Sequence, residues 1–223
     1  MVIALISDIH GNYPALQRVL EEIDKRGCRQ ILSLGDVSGY YCMVNECIEE
    51  LRSRNIMNLL GNHDHYIIHN TLCPRSNTVN ACIRYQRSII TSENWDYLKQ
   101  STAKFDDGYL SARHGGWSDP IDEYIKEFDF SFASGKTERI FASGHTHIQH
   151  MEKRDIWTYV NPGSVGQPRD GDSRAAFAII DDDGHVTCCR VEYDIRKIAN
   201  QMKKEGFPER TYECLYRGNR IGG

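Results

Sequence analysis

The chain lacks several features that would narrow its role at once. Across 223 residues no apolar run reaches the roughly 18–20 residues needed to span a bilayer. The segment Met1 to Ile6 carries no Lys or Arg and gives way to Ser7-Asp8, so no secretory leader is expected and a cytoplasmic chain is. No charge of either sign dominates: 27 Lys and Arg against 31 Asp and Glu give a formal net of −4. That balance offers no electrostatic footprint for nucleic acid and no polybasic membrane anchor. Prolines number only 6, and no repeat, low-complexity stretch or Pro/Ser-rich linker divides the chain, so a single domain over 1–223 is expected. The 8 cysteines include no C-x-x-C pair, which leaves a structural zinc site unsupported. In a reducing compartment they are expected to serve as small buried hydrophobes.

What is present is a globular composition, 40% hydrophobic and 10% aromatic, together with 9 histidines. Residues 2–6 form an apolar run suited to a buried strand, and a polar turn over 7–12 follows. Pro14 opens a helix whose Leu16, Val19, Leu20 and Ile23 recur at three- and four-residue spacing, with Gly27 closing it. A strand over 30–34 runs into Gly35-Asp36, a helix spans 43–54, and a strand over 56–60 runs into Gly61-Asn62-His63-Asp64. Such alternation predicts parallel strands joined by right-handed crossovers. From about 66 to 105 the pattern turns polar and helical, as in an insertion packed beside a sheet. Strand patterns return at 109–113, 140–143, 157–160, 175–180 and 186–193, and a helix over 195–205 follows. The last two strands flank Asp181-Asp182-Asp183-Gly184, which predicts a hairpin. The fold class is α/β with two sheets.

Polar residues gather where these strands stop. Asp8 and His10 follow the first, Asp36 the second, and Asn62, His63 and Asp64 the third. His114 follows the strand at 109–113, and His145 and His147 follow that at 140–143. Carboxyl ends of parallel strands open onto a shared crevice, so five turns can converge there. Taken singly, each cluster is an ordinary turn; all five placed after strands is a signal. Asp8, His10, Asp36, Asn62, His114, His145 and His147 supply oxygen and imidazole donors. Seven are too many for one tetrahedral ion but suit two ions sharing a carboxylate. The i, i+2 spacing of Asp8 with His10 and of His145 with His147 predicts extended segments that point both side chains to one side. Two ions roughly 3.5–4 Å apart would acidify a water and clamp a phosphoryl group.

The ordered blocks D-x-H, G-D, G-N-H-D, H-G and G-H-T-H, running from Asp8 to His147, resemble the calcineurin-like metallophosphoesterases. The small bacterial and archaeal phosphodiesterase branch is the most similar, through Asp36-Val37-Ser38-Gly39-Tyr40 and the Asn161-Pro162-Gly163-Ser164 turn. The resemblance implies a two-sheet α/β-β/α sandwich with the 66–105 stretch as a helical insertion. It implies that Asp8, His10, Asp36 and His147 hold one divalent ion. Asp36 would bridge to a second held by Asn62, His114 and His145. His63 would approach the phosphoryl group or leaving oxygen, oriented by Asp64. The implied activity is hydrolysis of phosphate mono- or diesters by in-line attack of a hydroxide shared between the ions. Mn²⁺ is the first choice of metal, with Fe, Zn²⁺, Co²⁺ or Ni²⁺ compatible with the same donors. The alternative is an inactive binding or regulatory module that keeps the fold, which the intact donor set opposes.

One departure stands out: Gly116-Trp117 occupies the place of the usual Ser-Pro after the H-G block, which bears on the substrate wall. Arg169, Arg113 and Tyr40 flank the motifs and are left outside the candidate set. His65 and His69 read as solvated or supporting positions, and His150 and His185 as surface residues. Asn161 and Ser164 read as shaping a strand end.

Overall fold

The computed structural model describes residues 2–221. The first half runs β1 (Ile3–Ile6), α1 (Tyr13–Lys25), β2 (Gln30–Ser33), α2 (Val44–Ser53), β3 (Met57–Asn58), α3 (Asn62–Ile68), α4 (Asn77–Ile89) and α5 (Ser92–Lys99). The second runs β4 (Phe105–Asp106), β5 (Leu110–Ala112), β6 (Ile140–Ala142), β7 (Gln149–Arg154), β8 (Trp157–Pro162), β9 (Ala175–Ile180), β10 (Val186–Val191) and α6 (Ile195–Lys204).

Two five-stranded sheets result, ordered β10-β9-β1-β2-β3 and β4-β5-β6-β8-β7. In the first, β1, β2 and β3 are parallel, with Ile3 opposite Gln30 and Leu32 opposite Met57. In the second, β5, β6 and β8 are parallel. The period-2 alternation of side chains builds the layers. Leu5 of β1 faces the other sheet, where it clusters with Leu32, Leu59, Leu110, Ile140 and Val160. Its neighbours Ala4 and Ile6 face outward, into a helical layer that includes Leu16, Val19, Ile48 and Met202. In β6, Ile140 and Ala142 join the inter-sheet core, while Phe141 packs outward with Phe128, Phe130 and Tyr159. This is the two-sheet sandwich that the sequence predicts.

The elements depart from the pattern in places. β7, Gln-His-Met-Glu-Lys-Arg, carries no apolar alternation because it is an edge strand, paired only with β8. The insertion is helical, as expected, but α3 starts at Asn62, so it grows out of the motif. Its α4 is tied to the strand-end loops by Gln86, fully buried, which accepts from the Gly39 amide at 2.7 Å and donates to the Tyr41 carbonyl at 2.6 Å.

Candidate metal centre

Every donor named from the sequence lies at the carboxyl end of a parallel strand. Asp8 and His10 follow β1, Asp36 follows β2, Asn62 opens α3 after β3, His114 follows β5, and His145 and His147 follow β6. All seven are buried. The two pairs do not sit on extended backbone as expected. Asp8, His10, Asp36, His145 and His147 adopt φ of 54°, 52°, 58°, 65° and 61°. The left-handed region is unfavourable for residues with a Cβ and costs of order 1–3 kcal/mol when strained. Five of the eight non-glycine residues there, among those described, are candidate donors. The chain curls at the ends of β1, β2 and β6 and turns the side chains there into one pocket.

Hydrogen bonds set the imidazoles. Nδ1 of His10 faces the Ser38 carbonyl at 2.8 Å, and Nδ1 of His147 faces the Gln167 carbonyl at 2.7 Å. A carbonyl only accepts, so each Nδ1 carries the proton and each Nε2 presents a lone pair. Those two Nε2 atoms lie 3.0 Å apart. Asp8 Oδ1 stands 3.3 Å from His147 Nε2 and 3.8 Å from His10 Nε2. Burial keeps both imidazoles neutral, well below the ordinary histidine range, and pushes Asp8 up to about 6. Three acceptors therefore face one point with no proton among them.

A second group adjoins the first. His114 Nε2 lies 3.4 Å from Asp36 Oδ2, 3.3 Å from Asn62 Oδ1 and 3.2 Å from His145 Nδ1. Asp36 Oδ2 is also 3.7 Å from His10 Nε2, so this one oxygen looks into both groups. Burial alone would depress His114, but the Asp36 carboxylate overrides it and raises His114 to about 9. Burial likewise works against the Asp36 anion, yet the imidazoles of His114 and His63 hold it below the usual carboxylate range. Asp8 Oδ1 and Asp36 Oδ2 are buried and have no hydrogen-bond partner. Buried carboxylate oxygens without a hydrogen-bond partner, beside the Nε2 lone pairs of His10 and His147, are costly without a cation, and the donor set fits divalent ions.

His63 and Asp64 are both present, but not as a relay. The His63 amide donates to Asp36 Oδ1 at 2.8 Å, and burial lowers its imidazole to about 4. Its Nδ1 has no partner. Asp64 spends its oxygens elsewhere: on the amides of Asp36 and Ser38 at 2.9 and 3.0 Å, the Ser38 hydroxyl at 2.7 Å and Asn58 at 3.1 Å. The expected orienting role toward His63 is replaced by one toward the Asp36 loop. The reason is that both residues open α3, where Asp64 points at backbone amides that need an acceptor. Gly61, just before them, is there for space: a Cβ would stand 2.1 Å from Asp36 Oδ1.

Several wall residues escaped the sequence reading. Arg169 donates to the Tyr40 hydroxyl at 2.8 Å and to Gln167, and both Arg169 and Tyr40 line the cleft of about 230 Å³ beside the donors. Arg75, just ahead of α4, forks onto Asp122 at 2.7 and 2.6 Å, and Asp122 Oδ1 lies 3.5 Å from His145 Nε2. Tyr124 packs its ring 4.0 Å from that of His145. The one sequence signal is Gly116-Trp117 in place of Ser-Pro after the H-G block. The 119–123 turn folds against it, and a Cβ on Gly116 would stand 2.3 Å from Glu123 Oε2. Trp117 packs away from the cleft, against Phe128 and Phe141, and donates to Ser111 Oγ at 2.9 Å. Arg113 pairs with Asp106 at 3.0 Å. The rings of His65 and His69 pack tilted against one another at 4.2 Å, while His150 and His185 pair with Glu152 and Asp181.

The calcineurin-like phosphoesterase superfamily domain matches residues 1–184. The chain belongs to that superfamily. A metallophosphoesterase from Sphaerobacter thermophilus superposes with a TM-score of 0.83 at 32% identity, covering 98% of this chain and 99% of the other. The Methanocaldococcus jannaschii protein MJ0912 is 33% identical over 97% of this chain and 98% of its own. Phosphodiesterase YfcE of Escherichia coli is 24% identical, covering 82% of this chain and 89% of YfcE. The chain is thus a member of the metallophosphoesterase family by sequence as well as by fold, and its His/Asp clusters suit divalent metal.

Proposed function

We propose that this phosphoesterase-family chain, acting as one domain over 1–223 in the cytoplasm, hydrolyses phosphate mono- or diesters with two divalent ions, Mn²⁺ foremost. The observation that carries this is Asp36 Oδ2, without a hydrogen-bond partner and facing imidazoles of both groups at 3.4 and 3.7 Å, where Asp36 would help hold both ions. In this reading Asp8, His10, Asp36 and His147 hold one ion, and Asp36, Asn62, His114 and His145 the other. The ions supply an acidified water and Lewis-acid stabilisation of the phosphoryl oxygens. Fe, Zn²⁺, Co²⁺ and Ni²⁺ suit the same donors.

The chain's own groups do the rest. Arg169 places a guanidinium on the cleft wall where its hydrogen-bond partners among the described residues are neutral, Tyr40 and Gln167, so its charge is free to hold an anionic ester. His63 waits in the cleft as a neutral imidazole. An anionic ester beside it raises its proton affinity, so it can donate a hydrogen bond or proton to the departing oxygen. Asp64 acts one step back, fixing the loop that carries Asp36. The name of YfcE supports a diester among the substrates.

Asp36→Ala and His145→Ala are expected to abolish Mn²⁺-dependent hydrolysis of p-nitrophenyl phosphate and bis(p-nitrophenyl) phosphate. Full turnover in either variant refutes the assignment. Fewer than about one equivalent of bound metal after loading, with no hydrolysis, favours the inactive module instead.

A further inference from the structure

The cleft does not end at the donors. Tyr124 and Arg220 belong both to its wall and to that of a second lobe of about 180 Å³, lined also by Ile125, Thr146 and Ile148. Lys126, His150 and Asn161 complete the lobe, so that beyond Tyr124 the isoleucine and tyrosine carbon lies beside cationic side chains rather than beside the donors. Ile148 is 45% exposed and Tyr124 41%, although Tyr124 already rests on the His145 ring at 4.0 Å. Large apolar side chains left open beside a reaction cleft mark surface that a ligand covers. The Thr146 hydroxyl is already committed, accepting from the Ile148 amide at 3.2 Å and from Asn161 at 3.0 Å. The lobe therefore offers isoleucine and tyrosine carbon, bordered by the Lys126 and Arg220 side chains.

We propose that this lobe is the subsite for the organic group of the ester and that it selects a flat ring, as in aryl or nucleoside esters, over a short alkyl chain. The inference rests on the phosphoesterase reading of the adjoining cleft. With the phosphate beside the donors, the ring reaches past His145 and lies against Tyr124, between Ile125 and Ile148. Offset or edge-on packing on tyrosine together with burial of isoleucine carbon favours a ring, because a methyl or ethyl group covers neither.

Phosphonates test this without turnover, since their P–C bond is not hydrolysed. Calorimetric titration of the Mn²⁺-loaded protein should show phenylphosphonate binding about tenfold tighter than methylphosphonate. Ile148→Trp, which fills the lobe from an exposed position, should bring that ratio close to one, whereas Tyr124→Phe keeps it. Equal affinity for the two ligands in the parent, or an unchanged ratio in Ile148→Trp, overturns the proposal. Hydrolysis of phenyl phosphate and propyl phosphate, followed in parallel, separates the two levels. Turnover without ring preference refutes the lobe alone. Ring-selective phosphonate binding without any turnover upholds the lobe and refutes the phosphoesterase reading.

Discussion

Gln86→Leu examines how the insertion supports the site. Gln86 is fully buried on α4, and its amide satisfies the Gly39 N–H and the Tyr41 carbonyl of the loop after β2. Leucine has nearly the same shape and removes both bonds, orphaning two backbone groups. Each orphan costs about 1–3 kcal/mol, so a loss of about 2–6 kcal/mol is expected. For a chain of this size that is a drop in Tm of roughly 4–24 °C. The effect should reach the site, because Gly39 abuts two imidazoles: a Cβ there would stand 2.3 Å from His10 Nδ1 and 2.8 Å from His63 Nδ1. Urea unfolding in chelator gives the stability term, and hydrolysis at saturating Mn²⁺ gives the functional one. Arg84→Ala, on the exposed face of the same helix, should stay within about 0.5 kcal/mol of the parent. If Gln86→Leu also stays within that margin, the insertion is not what holds the loop.

Three further outcomes follow from the geometry. Gly61 has extended backbone, φ −87° and ψ 167°, so Gly61→Ala is purely steric, and displacing Asp36 by about 1 Å should lower kcat/KM about 100-fold. Asp122→Asn loosens the Arg75 fork beside His145 and should shift the Mn²⁺ concentration for half-maximal activity upward by about tenfold, with activity recovering at high metal. Burial pushes the thiols of Cys42 and Cys82 up to about 12, so the reactive thiolate is scarce at pH 8. Raising the pH from 7 to 9 should leave both unlabelled by iodoacetamide in the native protein, as mass spectrometry of the peptides will show. Labelling at the rate of an unfolded control refutes the burial argument.

The order of elements and the donor set were legible because both are local properties of the chain. Apolar periodicity marks β1, α1 and β9 without reference to anything else, and a run of Asp, His and Asn at successive strand ends declares metal chemistry by donor type alone. β7 was not legible, since an edge strand with solvent on one flank needs no apolar alternation. Arg75 and Asp122 were equally silent. Each is an ordinary charged loop residue until the fold brings the two together, 47 positions apart in the chain.

By itself, then, the sequence determined the sandwich and the family and named seven candidate donors. Only the tertiary structure decided how those donors work. Left-handed backbone at Asp8, His10, Asp36, His145 and His147 is stable only because the surrounding contacts outweigh its local cost. The lone pairs of His10 and His147 point inward because two distant carbonyls, of Ser38 and Gln167, take the Nδ1 protons. Asp64 serves the Asp36 loop rather than His63 because amides 26 and 28 residues away in the chain fold onto it. None of these is written in local spacing, since each depends on a backbone group contributed by another strand end.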